Sequence, residues 1–171
     1  LGLVELRGFE MPPHQRMSLT QQLLVRSLVA MFWRKPYNNP LIHWRTIIHD
    51  RFMLPHYLWQ DLAIVVNALR LDGIDIDISW FGAHLEFRCP LMGTFEYSGV
   101  HVELRQSLEP WYVLGEEPGG SGMTRFVDSS VERLQVKVTG MFSTSMCIAV
   151  NGVRIPLQPT ETRGEYVGGV R

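Results

Sequence analysis

The sequence sets a glutamate two residues before an arginine at Glu5-Leu6-Arg7, Glu86-Phe87-Arg88 and Glu103-Leu104-Arg105, among other places. In a strand, residues two apart point to the same face. A carboxylate and a guanidinium then stand side by side. The carboxylate suits Mg2+, a hard ion that takes oxygen ligands. The guanidinium offers a planar fork that clamps phosphate. Such a pair can serve nucleotide-dependent chemistry. It can equally be a plain same-face ion pair, the commoner role of an arbitrary Glu-x-Arg and one worth little on a surface.

Other reactive residue types lack the spacing their chemistry needs. The six histidines, His14, His43, His49, His56, His84 and His101, form no H-E-x-x-H or similar ligand pattern and read as structural. The run Gly115-Glu-Glu-Pro-Gly-Gly-Ser-Gly122 has no Gly-Lys-Ser/Thr ending, and Glu116 and Glu117 would repel phosphate. It reads as a flexible connector. Ser107, Ser129 and Ser130 sit in no G-x-S-x-G setting. Cys89 and Cys147 form no C-x-x-C pair and show no nucleophile signature. Two lone cysteines fit a reducing compartment, so both are expected to be reduced.

The elements that must position these residues follow from periodicity and punctuation. Residues 3–7 read as a short strand, and Pro12-Pro13 as an extended linker. Ser18 with Gln21 makes a capping-box pattern for a helix carrying Leu24, Leu28, Met31 and Phe32, which Pro36 ends. Asn39-Pro40 signals a second helix through Leu41, Trp44, Ile48 and Phe52. Pro55 opens a third, with Leu58, Leu62, Val65, Val66 and Leu69 along one side and Asp72-Gly73 as its stop. A short helical turn is expected at 79–83. Beyond it the pattern turns to strands: Leu85–Cys89, Thr94–Tyr97, Val100–Arg105 and Val131–Val138. In the last of these Val131, Arg133, Gln135 and Lys137 alternate with Glu132, Leu134, Val136 and Val138. Met146–Val150 and Val153–Leu157 flank Asn151-Gly152, a strong hairpin signal with both turn residues at positive φ. The fold class is therefore α+β. An N-terminal strand and helices over 1–80 precede an antiparallel β-rich region over 81–171, whose form could be an incomplete β-sandwich.

Composition narrows the function classes. Hydrophobic residues make up 46% of the 171, enough to build a core, and charged residues only 19%. Sixteen Lys and Arg against seventeen Asp and Glu give a net charge of −1 with no basic run. Nucleic acid is thereby disfavoured, since its binders carry basic stripes. The longest apolar run, Leu28 to Trp33, is too short to span a bilayer. No signal peptide is legible, which points to the cytoplasm. The chain starts on Leu and ends strand-like at Tyr166–Arg171. Both ends read as cuts, and the expectation is a segment of a larger protein that is not a complete enzyme by itself.

Glu5-Leu-Arg-Gly-Phe-Glu-Met-Pro-Pro-His14 resembles the last catalytic strand of glutamine-synthetase-like ligases, where E-x-R leads through a proline-containing loop into a helix. More closely, it resembles the bacterial amidoligase family often fused behind a transglutaminase-like domain. His49-Asp-Arg-Phe-Met-Leu-Pro-His56, Leu108-Glu-Pro-Trp111 with Val113-Leu-Gly-Glu-Glu117, and Val127-Asp-Ser-Ser-Val-Glu-Arg-Leu-Gln-Val136 are similar to the same family. The resemblance runs over nearly the whole chain. It implies the end of an amidoligase-like core in 1–80 and a β-rich extension in 81–171. The implied activity is ATP- and Mg2+-dependent joining of a carboxylate to an amine in the full-length parent, with no cofactor for the isolated chain. Glu5 would be a metal ligand. Arg7 would be the catalytic and phosphate-binding group. Glu10, His14, Glu103 and Arg105 are further candidates. Pro-Pro-His stands where glutamine synthetases have an Asn-Pro element. The implied partners are the rest of the parent chain, with its transglutaminase-like domain, and a peptide or protein substrate. The rival reading is a non-catalytic β-rich accessory or peptide-binding module, with the strand end near Val170 offered for pairing.

Overall fold

Residues 15–34 alternate apolar and polar groups at helical spacing, and they form α1 (Gln15–Arg34) in a computed structural model that describes residues 2–110, 113–119, 122–140 and 147–171. The helix starts a turn earlier than the capping box predicts. His14 takes the N-cap, its Nδ1 accepting from the Arg16 N–H at 3.2 Å, so Ser18 and Gln21 lie inside the helix. Met17 and Ser27 are its buried residues.

The expected strand at 3–7 does not form. Residues 2–12 have neither helix nor strand pairing. A strand exists only by pairing, and no neighbour among the described residues supplies a ladder.

α1 belongs to a unit made of residues 1–41 and 62–84. α3 (Pro55–Leu71) contributes Val66 and Leu69 to that unit's buried set, with Ile76 and Phe81 further on. Gly73, at φ +86°, closes α3 in a Schellman pattern: the Ile74 N–H reaches back to the Leu69 carbonyl at 2.9 Å. Asp72 then takes Arg34 and Lys35 from the end of α1, the latter at 2.8 Å.

The second unit comprises residues 42–61 and 85–171. The long helix expected after Asn39-Pro40 is only a 3-10 turn, Arg45–Ile47, followed by α2 (Ile48–Arg51). Arg45 sits at φ +52°, which breaks any continuous helix from 41 to 52. Arg51 lies over the Trp44 ring, 5.4 Å from its centroid, and also holds Asp61 at 3.1 Å. Leu85–Cys89 is a second correction. The expected strand is helical, α4 (Gly82–Arg88), entered from a 3-10 turn at Ile78–Phe81 that Asp77 caps. The Cys89 N–H still bonds the Leu85 carbonyl at 2.7 Å.

Five antiparallel strands form the main sheet: β1 (Leu91–Tyr97), β2 (Val100–Ser107), β5 (Arg133–Gly140), β8 (Gln158–Pro159) and β9 (Glu165–Val170), in the order β1-β2-β5-β9-β8. β9 pairs with β5 as far as Val170, whereas β8 reaches only Tyr166 and Val167, so the strand end near Val170 has a ladder partner on one side among the described residues. The glycine-rich run expected as a connector is instead part of a hairpin, β3 (Val113–Gly119) with β4 (Gly122–Val127), though Gly120 and Ser121 lie outside the described residues. β6 (Ala149–Val150) and β7 (Val153–Arg154) flank Asn151 at φ +51° and Gly152 at φ +81°, the positive pair that the sequence predicts. Met146, the expected start of that hairpin, lies outside the described residues. One sheet face carries the core. Val100, Val102, Val136 and Val138 are buried with Ile155. Ile148 and Leu157, beside the small hairpin, pack on them.

Candidate functional site

The opposite face of the main sheet is polar and yet covered. Register places Arg105 beside Gln135, Glu103 beside Lys137, and His101 beside Thr139 and then Glu165. These side chains share a face because residues two apart, and residues directly opposed, point the same way. The start of α3 lies over them. Its first turn has backbone N–H groups with no partner inside the helix. Leu54, just before it, has no side-chain acceptor. The Gln135 amide oxygen supplies one, taking the His56 N–H at 2.8 Å. Gln135 is only 2% exposed, so that bond is shielded from water.

Between helix and sheet lies a cleft of about 230 Å3. Its polar lining is His56, Glu103, Arg105, Gln135 and Lys137; Pro55, Trp59 and Leu85 make the apolar side. Charges here are paired. Arg105 holds Glu103 at 2.9 Å, Glu86 at 2.7 Å and the Cys89 carbonyl at 3.1 Å. Burial works against its charge, and the bonds to Glu86 and Glu103 outweigh that and raise its pKa. Lys137 meets Glu165 at 2.8 Å. Burial pushes the Glu165 carboxyl up, but hydrogen bonds from Lys137 and Thr160 hold it below the ordinary glutamate value. For His56 the balance favours the uncharged form. Burial, then the Lys137 charge, lower its pKa and favour the neutral ring. Its Nδ1 stands 3.7 Å from Glu165, beyond hydrogen-bond reach, and its Nε2 is buried without a partner.

The sequence-derived residues divide between the units. Glu103 and Arg105 lie in this cleft, and the third Glu-x-Arg is on a strand as read. Glu86 and Arg88 lie on a helix instead, where residues two apart do not share a face. Glu86 nonetheless joins Glu103 on Arg105. Glu5 and Arg7 lie in the first unit, in the segment without strand pairing. They bond each other twice at 2.9 Å and are 69% and 83% exposed. Glu10 lines an open groove of about 460 Å3 beside α1, and His14 spends its Nδ1 on the helix cap. Among the described residues no three His, Cys, Asp or Glu side chains converge to hold a metal ion. Both cysteines are free, Cys89 buried and Cys147 exposed.

Sequence reading missed His56, Trp59, Gln135, Lys137 and Glu165. A signal for some of them existed: His56 ends one of the family-like stretches and Gln135 falls within another. No helix among the described residues is long and apolar enough to cross a membrane. A family model described as "Putative amidoligase enzyme (DUF2126)" matches residues 1–171. No curated protein and no solved structure matches the chain.

Proposed function

The chain belongs to the amidoligase family, and we propose that it works within a cytoplasmic, ATP-dependent ligase joining a carboxylate to an amine. The observation that carries this reading is the family match along the full 171 residues. ATP supplies the activating phosphoryl group: a carboxylate oxygen takes the γ-phosphoryl group as ADP leaves, the amine nitrogen attacks the carbonyl carbon of the acyl phosphate, and phosphate leaves as the nitrogen loses a proton. Arg7, with an exposed guanidinium already in a two-point grip on a carboxylate, suits a phosphate oxygen pair in the same geometry. Glu5 suits Mg2+ as one oxygen ligand. The described residues do not complete such a site, so the remaining ligands would come from the rest of the parent. That parent would include a transglutaminase-like domain, and its substrate would be a peptide or protein.

A second reading has its own observation. β1 is an edge of the main sheet and carries the exposed side chains of Met92, Phe95 and Tyr97. An open edge with apolar side chains can accept an extended peptide as an added strand. The β-rich unit would then be an accessory or peptide-binding module.

Phosphate release by the full-length parent, measured with ATP and Mg2+, separates the two. The 171-residue chain alone is expected to release none. In the parent, Glu5→Gln should cut turnover by about 100-fold or more, the usual cost of about 3 kcal/mol for losing a charge-stabilising group at a reacting centre. Melting should be unchanged, because the pair is exposed and local. If Glu5→Gln and Arg7→Gln both keep full turnover, neither residue is catalytic. A parent without ATP turnover removes the ligase reading and leaves the module.

A further inference from the structure

We propose that the cleft between α3 and the main sheet is a binding site for a small zwitterion of the α-amino acid type. The inference goes beyond the ligase reading and does not need it. It rests on four features of one place.

The cleft presents opposite charges as neighbours. Arg105 Nε and a Glu103 oxygen are 2.9 Å apart. An α-amino acid carries its carboxylate and ammonium at similarly short range, in the complementary order. The ligand's carboxylate would face Arg105 while its ammonium faces Glu103.

Groups remain for both ends. Arg105 uses Nε and Nη1 for Glu103, Glu86 and the Cys89 carbonyl; its Nη2 makes no hydrogen bond among the described residues. Glu103 accepts through one oxygen only. His56 Nε2 is buried without a partner, a state that costs free energy unless something fills it. On a neutral ring that nitrogen can accept from an ammonium.

Size and field exclude larger or singly charged ligands. At roughly 30 Å3 per water, the cleft holds the volume of about seven to eight waters, near that of a small amino acid. It falls below the ~300 Å3 where ordinary cofactor pockets begin, so a nucleotide does not fit. Glu103 and Glu165 oppose a bare anion, and Arg105 and Lys137 oppose a bare cation. Trp59 and Leu85 offer an apolar wall for a short side chain.

The site is also held in shape before any ligand arrives. The Gln135 bond to the His56 N–H fixes the helix end, and the ion pairs fix Arg105 and Lys137. Preorganisation of this kind reduces the ordering cost of binding.

The test is calorimetric titration of the full chain with each protein amino acid, and with acetate, methylamine and ATP as probes, no magnesium present. At least one small amino acid should bind. Acetate and methylamine should bind at least about 10-fold more weakly, a loss of ~1.4 kcal/mol, and ATP not at all at this site. Glu103→Gln leaves Arg105 its bond to Glu86, and should weaken binding about 10-fold with melting preserved. His56→Gln is the second variant, since its Nε2 bonds nothing in the protein, and it should weaken binding likewise. Glu116→Gln, on the β3–β4 hairpin, should bind as the parent chain does. The proposal is overturned if no amino acid binds up to about 10 mM. It is also overturned if acetate or methylamine binds as tightly as the amino acid, or if Glu103→Gln and His56→Gln bind unchanged. Because ATP turnover is not read here, failure of this site and failure of the ligase reading are separate results.

Discussion

Gln135 shows how much can hang on one side chain. Its amide oxygen accepts a backbone N–H at the start of α3, a group with no partner inside the helix. Replacing it by leucine keeps the volume nearly constant and removes the acceptor. The His56 N–H would then be buried and unpaired, which costs about 1–3 kcal/mol. Urea unfolding should show that loss for Gln135→Leu, while exposed Gln15→Leu should change little. Equal stability for Gln135→Leu and the unaltered chain would mean that water reaches the helix end. Half of this was legible. Alternation across 133–138 correctly sets Gln135 with Arg133 and Lys137, because a strand's period of two is local. That this polar side is covered is not legible. The covering group lies 79 residues away, and no local pattern encodes such a contact.

At the level of elements, turns are where the sequence speaks most clearly. Asn151-Gly152 adopts the positive φ pair that the dipeptide predicts, and Ser98 and Gly99 do the same between β1 and β2 at φ +50° and +76°. Gly140 is the harder constraint. It sits at φ +115°, and a Cβ there would lie 2.4 Å from the Gly99 carbonyl oxygen. Gly140→Ala should therefore destabilise the β2–β5 pairing by about 1–3 kcal/mol from backbone strain, with the clash in addition. Gly152→Ala places its Cβ in open space and bears only the strain, so it should cost less. Chemical denaturation ranks the two, and a larger loss for Gly152→Ala would contradict the stated geometry. Elements without such markers were misread. Glycine and proline in 115–122 look like a loop, yet Glu116 pairs with Arg125 at 2.7 Å across a ladder. Leu85–Cys89 contains strand-compatible residues, but Asp77 caps the preceding turn and the chain continues as helix.

Across the whole molecule, the two units are held by groups that titrate in different ranges. In the second unit His56 has a pKa lowered from 6.5 by burial and by Lys137. Its unfolded form binds a proton more readily than its folded form. The stability this contributes is complete above about pH 6.5 and is lost as pH falls through that value toward the folded pKa. In the first unit Asp72 is lowered from 3.8 by hydrogen bonds from Lys35 and Arg34, and Asp77 by those from Ser79. Their contribution is present above 3.8 and is lost only as pH falls below it. Acid should therefore loosen the second unit first. Hydrogen-exchange protection factors should fall for β5 and β9 amides between about pH 7 and pH 5, while those of α1 hold until about pH 4. His56→Gln carries no titrating ring, so its β5 protection should stay level over the upper range. Parallel loss in α1 and β5 above about pH 5 would show that the units do not respond to their own groups. Persistence of the upper transition in His56→Gln would place it on another residue, and the neutral imidazole in the cleft would lose its role in stability.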